Sequence, residues 1–288
     1  MPFSVSLSPP KSEIVLANHQ VATKAFNLQN NSSSPIVLRL DTKQWVASDT
    51  QGGVSFIADP GPFQFSITNA DLKDQTTFSI PPNSEKQIVV GIKPTSNNIQ
   101  GDFYYTVFFS QSQEIENNPN TTQSTGNVGS HLLLHLGPVG EKNTAEVTTI
   151  SLSPTFSDSI STNVTISGLV KNTGNKFFNL KGYIDIKKDN QTVKQLVLAG
   201  DTVLSGQSRT IRCIDNPTAK EPHVVPCILY SPNQPGLYTF TLVTTEDTIL
   251  SGSTTATKLL FPYILLMGFF LVASIGFLFY KKTLLDRK

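Results

Sequence analysis

Two histidines, His131 and His135, stand four residues apart in the segment SHLLLHL. On a helix that spacing would aim both imidazoles at one metal ion, whereas in a strand four residues span roughly 13 Å, too far for a shared ion. The segment alternates like a strand, so no metal is assigned to it. The cysteines, Cys213 and Cys227, have no histidine at finger-like spacing and bracket the proline-rich stretch IDNPTAKEPHVVP. In an oxidising compartment they could close a loop of about 15 residues and contribute roughly 3 kcal/mol. The other reading is a pair of unrelated buried thiols.

The glycines Gly52 and Gly53 are followed by no Lys-Ser or Lys-Thr pair and no helical pattern, both of which a phosphate-cradling loop requires. No G-x-S-x-G nucleophile elbow occurs. Asp41, Asp49, Asp59, Asp71, Asp74 and Asp189 read as solvated turn residues rather than paired catalytic acids. Triplets of the form N-x-S/T begin at Asn30 or Asn31, Asn120, Asn163 and Asn190, as chance produces in a chain rich in these residues. The sequence therefore reads as noncatalytic and without a cofactor. One strand-like stretch, Asp102 to Ser110, points to recognition instead. Its alternation places Phe103, Tyr105, Val107 and Phe109 on a core face, and Tyr104, Thr106, Phe108 and Ser110 on the other. Tyr104 and Phe108 are more aromatic surface than a solvated sheet needs, so they face a partner or are covered by a loop of their own domain.

Strands must position these residues. Between Phe3 and Gly137 the candidates are Phe3 to Ser8, Ala22 to Leu28, Ile36 to Leu40, Phe63 to Thr68, Gln87 to Lys93, Phe103 to Ser110 and His131 to Leu136, a pattern that suggests a sandwich. Asn30 to Pro35 and Pro81 to Ser84 read as corners. The polar connection Gln111 to Ser130 reads as a disordered loop. Alternation resumes from Val164 to Val243, with Lys188 to Gln191 as a hairpin tip between Gly182 to Lys187 and Thr192 to Leu198. The expected fold is all-β: two tandem Ig-like β-sandwich domains, residues 1–140 and 141–250, then a flexible stalk over 251–258 and a single C-terminal transmembrane helix.

That helix is the run from Leu259 to Tyr280, 22 residues without a charge. At about 1.5 Å per residue it would reach roughly 33 Å, enough for a hydrocarbon core of about 30 Å. Lys281, Lys282, Arg287 and Lys288 follow it, opposed by Asp286 alone, and only Lys258 flanks the other end. The basic flank predicts a cytoplasmic tail over 281–288, so the expectation is a single-pass plasma-membrane protein with its N-terminal domains outside. The opening MPFSVSLSPPKSE shows neither a basic n-region nor an apolar h-region. Either a signal was removed or omitted, or the chain is tail-anchored with its domains in the cytosol. A formal net charge of +1, with the basic tail subtracted, leaves no electrostatic footprint for nucleic acid.

Several segments together resemble a known family. They are VSLSPPKSEIVLAN and FNLQNNSSSPIVLRLD in the first domain, and VKNTGN, GYIDIKKDNQTV, VLSGQSRTIRC and PGLYTFTLVT in the second. With the helix and basic tail, this order is similar to bacterial WxL-interacting cell-surface proteins. The resemblance implies a peptidoglycan-binding β-domain, a second Ig-like domain with a protein partner, and a membrane anchor. The long loop and the cysteine-flanked insert depart from it, and no ligand residue is carried over. Three functions are thus expected, in order: a surface adhesion or scaffold protein binding cell-wall polymer or a surface protein; a tail-anchored cytosolic tether with a major-sperm-protein-like peptide-binding domain; and an assembly chaperone or receptor subunit that donates a sheet edge.

Overall fold

Strict alternation of apolar and polar residues shapes both halves of the chain, because a strand with one wet face buries every second side chain. In the computed structural model, which describes residues 3–285 except 18–19, 73–76, 97, 113–125, 139, 141, 156–157, 160–161, 231, 233 and 246–247, two units result. One comprises Met1–Glu141 with Asn175–Phe177, the other Lys142–Gly174 with Phe178–Lys288.

The first unit is a sandwich of strands β1 (Val5–Ser8), β2 (Lys11–Leu16), β3 (Ala22–Asn30), β4 (Ile36–Ala47), β5 (Val54–Phe56), β6 (Phe63–Ile67), β7 (Thr77–Ile80), β8 (Glu85–Pro94), β9 (Gly101–Gln111) and β10 (Asn127–Leu136). One sheet runs β1-β3-β8-β6 and the other β2-β10-β9-β4-β5, with β7 also on β4. The prolines Pro9 and Pro10 break the first extended stretch in two. Its first half pairs antiparallel with β3 and its second half parallel with β10, so the chain changes sheets there. Phe26, Leu28, Ile88 and Val90 from one sheet meet Tyr105, Val107, Phe109 and Leu134 from the other, all fully buried. Each such side chain contributes about 1.5–3 kcal/mol of apolar burial.

The second unit contains β11 (Asn143–Ser153), β12 (Val164–Asn172), β13 (Phe178–Asn179), β14 (Gly182–Lys188), β15 (Gln191–Val197), β16 (Thr202–Val203), β17 (Ser208–Thr210), β18 (Cys213–Asp215), β19 (His223–Val225), β20 (Cys227–Leu229), β21 (Gly236–Thr244), β22 (Thr248–Gly252) and β23 (Thr255–Leu260). Its main sheets run β17-β12-β11-β22, with β20 also on β12, and β15-β14-β21-β23. Val164, Ile166, Ile186, Phe240 and Leu260 lie in its core. Both units are Ig-like β-sandwiches, and the described residues are all-β apart from one 3-10 turn and the C-terminal helix.

A buried asparagine closes the same corner in each unit. Asn30 Nδ2 donates to the carbonyls of Ser34 (2.8 Å), Ile80 (3.2 Å) and Pro81 (3.0 Å), while its Oδ1 accepts from the Ser32 N–H (3.0 Å) and hydroxyl (2.7 Å). Its N–H donates to the Ser84 carbonyl at 2.9 Å. In the second unit Asn172 Nδ2 donates to the Val203 carbonyl (3.1 Å) and Oδ1 accepts from the Gly174 N–H (2.9 Å). The Asn172 N–H donates to Gln207, also at 2.9 Å. The offsets coincide. Six residues after each asparagine, Ile36 and Phe178 pair with the same Ile80 and Val203 that the side chains hold. Three residues beyond these acceptors, Asn83 and Gly206 take the left-handed conformation, with φ of 50° and 69°.

Several expectations change. β4 extends to Ala47, which puts Asp41 in mid-strand rather than at a turn, and β10 begins at Asn127, four residues early, because Val128 continues its inward alternation. The presumed stalk over 251–258 is occupied by β22 and β23. TATKLL alternates, β21 offers it a free edge, and Leu260 is drawn fully into the core. Leu259, expected to start the anchor, is therefore a strand residue with its side chain outward.

Helix α1 (Tyr263–Leu285) starts four residues later than expected and includes Tyr280, Lys281 and Lys282. Among the described residues no helix is long and apolar enough to cross a membrane. That finding overturns the single-pass plasma-membrane placement with its cytoplasmic tail. Asp74, Asn120, Asp286, Arg287, Lys288 and the loop centre, 113–125, lie outside the described residues.

Candidate functional site

The outer face of the first unit's larger sheet places Tyr104 and Phe108 four residues apart along β9. Tyr104 stacks on Trp45 of β4, ring centroids 5.1 Å apart, and its hydroxyl donates to Asp102 Oδ2 at 2.9 Å. Phe108 meets Phe56 of β5 at 5.5 Å. Its ring also lies over Gly129 of β10, where an added Cβ would come within 2.9 Å of it. The unit thus covers much of both rings itself. Beside Phe108, Arg39, Asp41, Lys43, Ser110 and Asn127 surround a shallow polar hollow of about 230 Å³.

His131 and His135 project from this same face of β10 but engage different partners. His131 Nδ1 lies 3.0 Å from the Thr106 hydroxyl and its ring meets Trp45 edge-on at 5.3 Å. Burial lowers its pKa from the ordinary imidazole value. His135 Nδ1 lies 2.8 Å from Asp102 Oδ1, with both side chains buried. Among the described residues no group of three or more His, Cys, Asp and Glu side chains is placed to hold a metal.

In the second unit Cys213 and Cys227 are joined by a disulfide, with Cα atoms 4.9 Å apart. It fastens the hairpin β18–β19, paired from Cys213–Val225 to Asp215–His223, to β20, which belongs to the β12 sheet. A two-stranded hairpin is marginal in water by itself, so the covalent tie fixes where it stands. Next to it runs β15, the terminal strand of its sheet, bonded along its length to β14 only.

The edge of β15 can be read from its neighbours. The Leu198 N–H donates to Gly182 beside β14, and the Ala199 N–H donates the other way, to Arg212. Backbone groups alternate along a strand, so Gln195 turns its N–H and C=O away from β14. At Leu198–Cys213 a single bridge joins this edge to the hairpin. Beyond it the two strands diverge around a groove of about 160 Å³ whose walls include Leu196, Ile214, Val225, Ile228 and Tyr230. Tyr230 is 59% exposed, and the Lys194 ammonium stands 5.9 Å from its ring centroid.

The turn after β15 is held by Asp201, which receives Arg212 Nε at 2.8 Å and Nη2 at 2.5 Å. Burial alone would raise the Asp201 pKa, but the Arg212 hydrogen bonds and charge, helped by Arg209, outweigh it and hold the carboxyl below its usual value. Sequence reasoning found the cysteines and the β14–β15 hairpin but not this groove. The nearest signal was QTVKQLV, a strand that mixes polar and apolar residues on both faces and carries a lysine, as an uncovered edge often does.

No protein-family model matches the chain. No curated protein matches it either. Among solved structures it is similar to the class 5 fimbriae chaperone CfaA, at 14% identity over 90% of this chain and 100% of that one, with a TM-score of 0.40. It is similar to the CsuC–CsuE chaperone–tip adhesion subunit complex of Acinetobacter baumannii at 11% identity, 77% and 97% coverage, and a TM-score of 0.40. The SafA pilin–SafB chaperone complex of Salmonella enterica gives 15% identity, 90% and 98% coverage, and a TM-score of 0.38.

Proposed function

We propose that the chain is a noncatalytic binding protein that holds an extended segment of a partner protein as an added strand, in the manner of an assembly chaperone or receptor subunit. The observation that carries this reading is the uncovered edge of β15, with Gln195 presenting a donor and an acceptor to solvent. Such main-chain groups match another strand and supply affinity with little demand on partner sequence, while neighbouring side chains select it. Natural edges are usually shielded by proline, inward charge or a covering loop. β15 has no proline, its Val193 is half exposed, and beside it lies a groove rather than a cover.

The reading is tested by amide hydrogen exchange on the full chain with a panel of extended peptides. A peptide that binds should protect the Gln195 amide at least tenfold and leave the doubly paired β9 unchanged. Binding that protects no edge amide in either unit would refute strand addition.

A further inference from the structure

The wall opposite β15 shows what kind of segment the groove selects. Resting on the strand-addition reading, we infer that the groove takes a stretch of alternating apolar side chains with an acidic residue beside Lys194, and that the disulfide-fastened hairpin is its second jaw. The walls that Leu196, Ile214, Val225, Ile228 and Tyr230 present are apolar, which suits the inward-facing residues of an added strand, spaced two apart.

Charge decides the rest. Lys194 forms no ion pair with a described side chain, and both it and Tyr230, whose ring centroid its ammonium approaches to 5.9 Å, line the groove. An incoming carboxylate there gains a charge-assisted hydrogen bond, whereas an incoming ammonium meets like charge. Asp215, on the hairpin and lining the same groove, repels a second acid, so a single acidic residue at the Lys194 end is specified. An extended backbone is the one partner chemistry that matches both the Gln195 edge and this side-chain pattern.

The jaw depends on its covalent tie. Cys227 is fully buried and Cys213 nearly so. The bond therefore acts as a fixed fastening of the β18–β19 hairpin, which otherwise meets β15 through the bridge at Leu198. Without it the hairpin loses its fixed distance from β15 and the groove loses its shape.

The probe is a capped nine-residue peptide alternating Val and Thr with one central Glu, titrated into the full chain beside a version carrying Lys in place of Glu. The Glu peptide should bind at least tenfold more tightly than the Lys peptide. Ile214→Asp and Tyr230→Ser should each weaken it at least fivefold, and Cys213→Ser with Cys227→Ser at least tenfold. Tyr230 is exposed, so its variant remains informative if the cysteine variant does not fold. Protection of Gln195 with affinities unmoved within twofold by Ile214→Asp, Tyr230→Ser and charge reversal would overturn the groove's role while leaving strand addition standing. No binding of the Glu peptide, or binding that protects another edge but not Gln195, would overturn the groove's role alone, and binding that protects no edge amide in either unit would overturn both.

Discussion

Replacing Asn30 with alanine removes five side-chain hydrogen bonds from a completely buried residue. The Ile80 carbonyl is then left without that donor in a buried position, at a cost of about 1–3 kcal/mol. The Ser34 and Pro81 carbonyls and the Ser32 N–H are only part-buried, so water recovers some of their loss and each costs about 0.5 kcal/mol. The expected total is about 3 kcal/mol. With a urea slope of about 2–3 kcal/mol/M, the unfolding midpoint of the first unit should fall by about 1 M. Trp45 is the chain's one tryptophan, and it lies in this unit, so its fluorescence follows that transition alone. Asn172→Ala should leave the Trp45 transition in place and lower the midpoint seen by far-ultraviolet circular dichroism for the other unit. A midpoint within 0.2 M of the parent after Asn30→Ala (about 0.5 kcal/mol on the same slope) would refute the latch argument.

Breaking the disulfide by Cys213→Ala with Cys227→Ala should cost the second unit about 3 kcal/mol and spare the Trp45 transition, as paired urea curves would show. His131 has a lowered pKa in the folded state, so its contribution to stability is present above about pH 6.5 and is lost as pH falls toward the folded pKa. Stability of the first unit measured by Trp45 fluorescence should decline over that window in the parent and decline less in His131→Gln. Tyr104→Ser should cost about 2 kcal/mol by removing the Trp45 stack and the Asp102 hydrogen bond, while Phe108→Ser costs about 1 kcal/mol; equal effects would show that the two rings are covered alike. Asp201 gains stability from Arg212 above the ordinary carboxylate pKa, lost as pH falls through its lower folded value, and Asp201→Asn should flatten the second unit's acid titration below about pH 4.

The sandwich architecture was legible because alternation is a local signal, and β9 and β14 stand where alternation placed them. What escaped were elements whose residues look like connectors. SGSTTATK reads as stalk by composition and Leu259-Leu260 as the start of the anchor, yet the alternation from Thr255 to Leu260 suffices once β21 offers an edge, with partners 14 to 24 residues away in sequence. Asn30 read as a glycan acceptor or a turn former. Its burial follows from the β7–β4 pairing across 44 residues, and no local pattern announces that. Of the candidate surfaces, the sequence showed the outward side of Tyr104 and Phe108 by facing parity but not the rings that cover them. The β15 groove needed the hairpin's position, which a cysteine pair specifies only in three dimensions.

The two asparagine corners share not only a residue type but three intervals around it: the N–H donor two residues on, the strand residue six on, and the left-handed turn three past the far contact. The matching intervals let one kind of latch close a corner in two sheets of different sequence. Because each latch lies within its own unit, the two corners can be unfastened one at a time, leaving the other half of the chain as an internal reference.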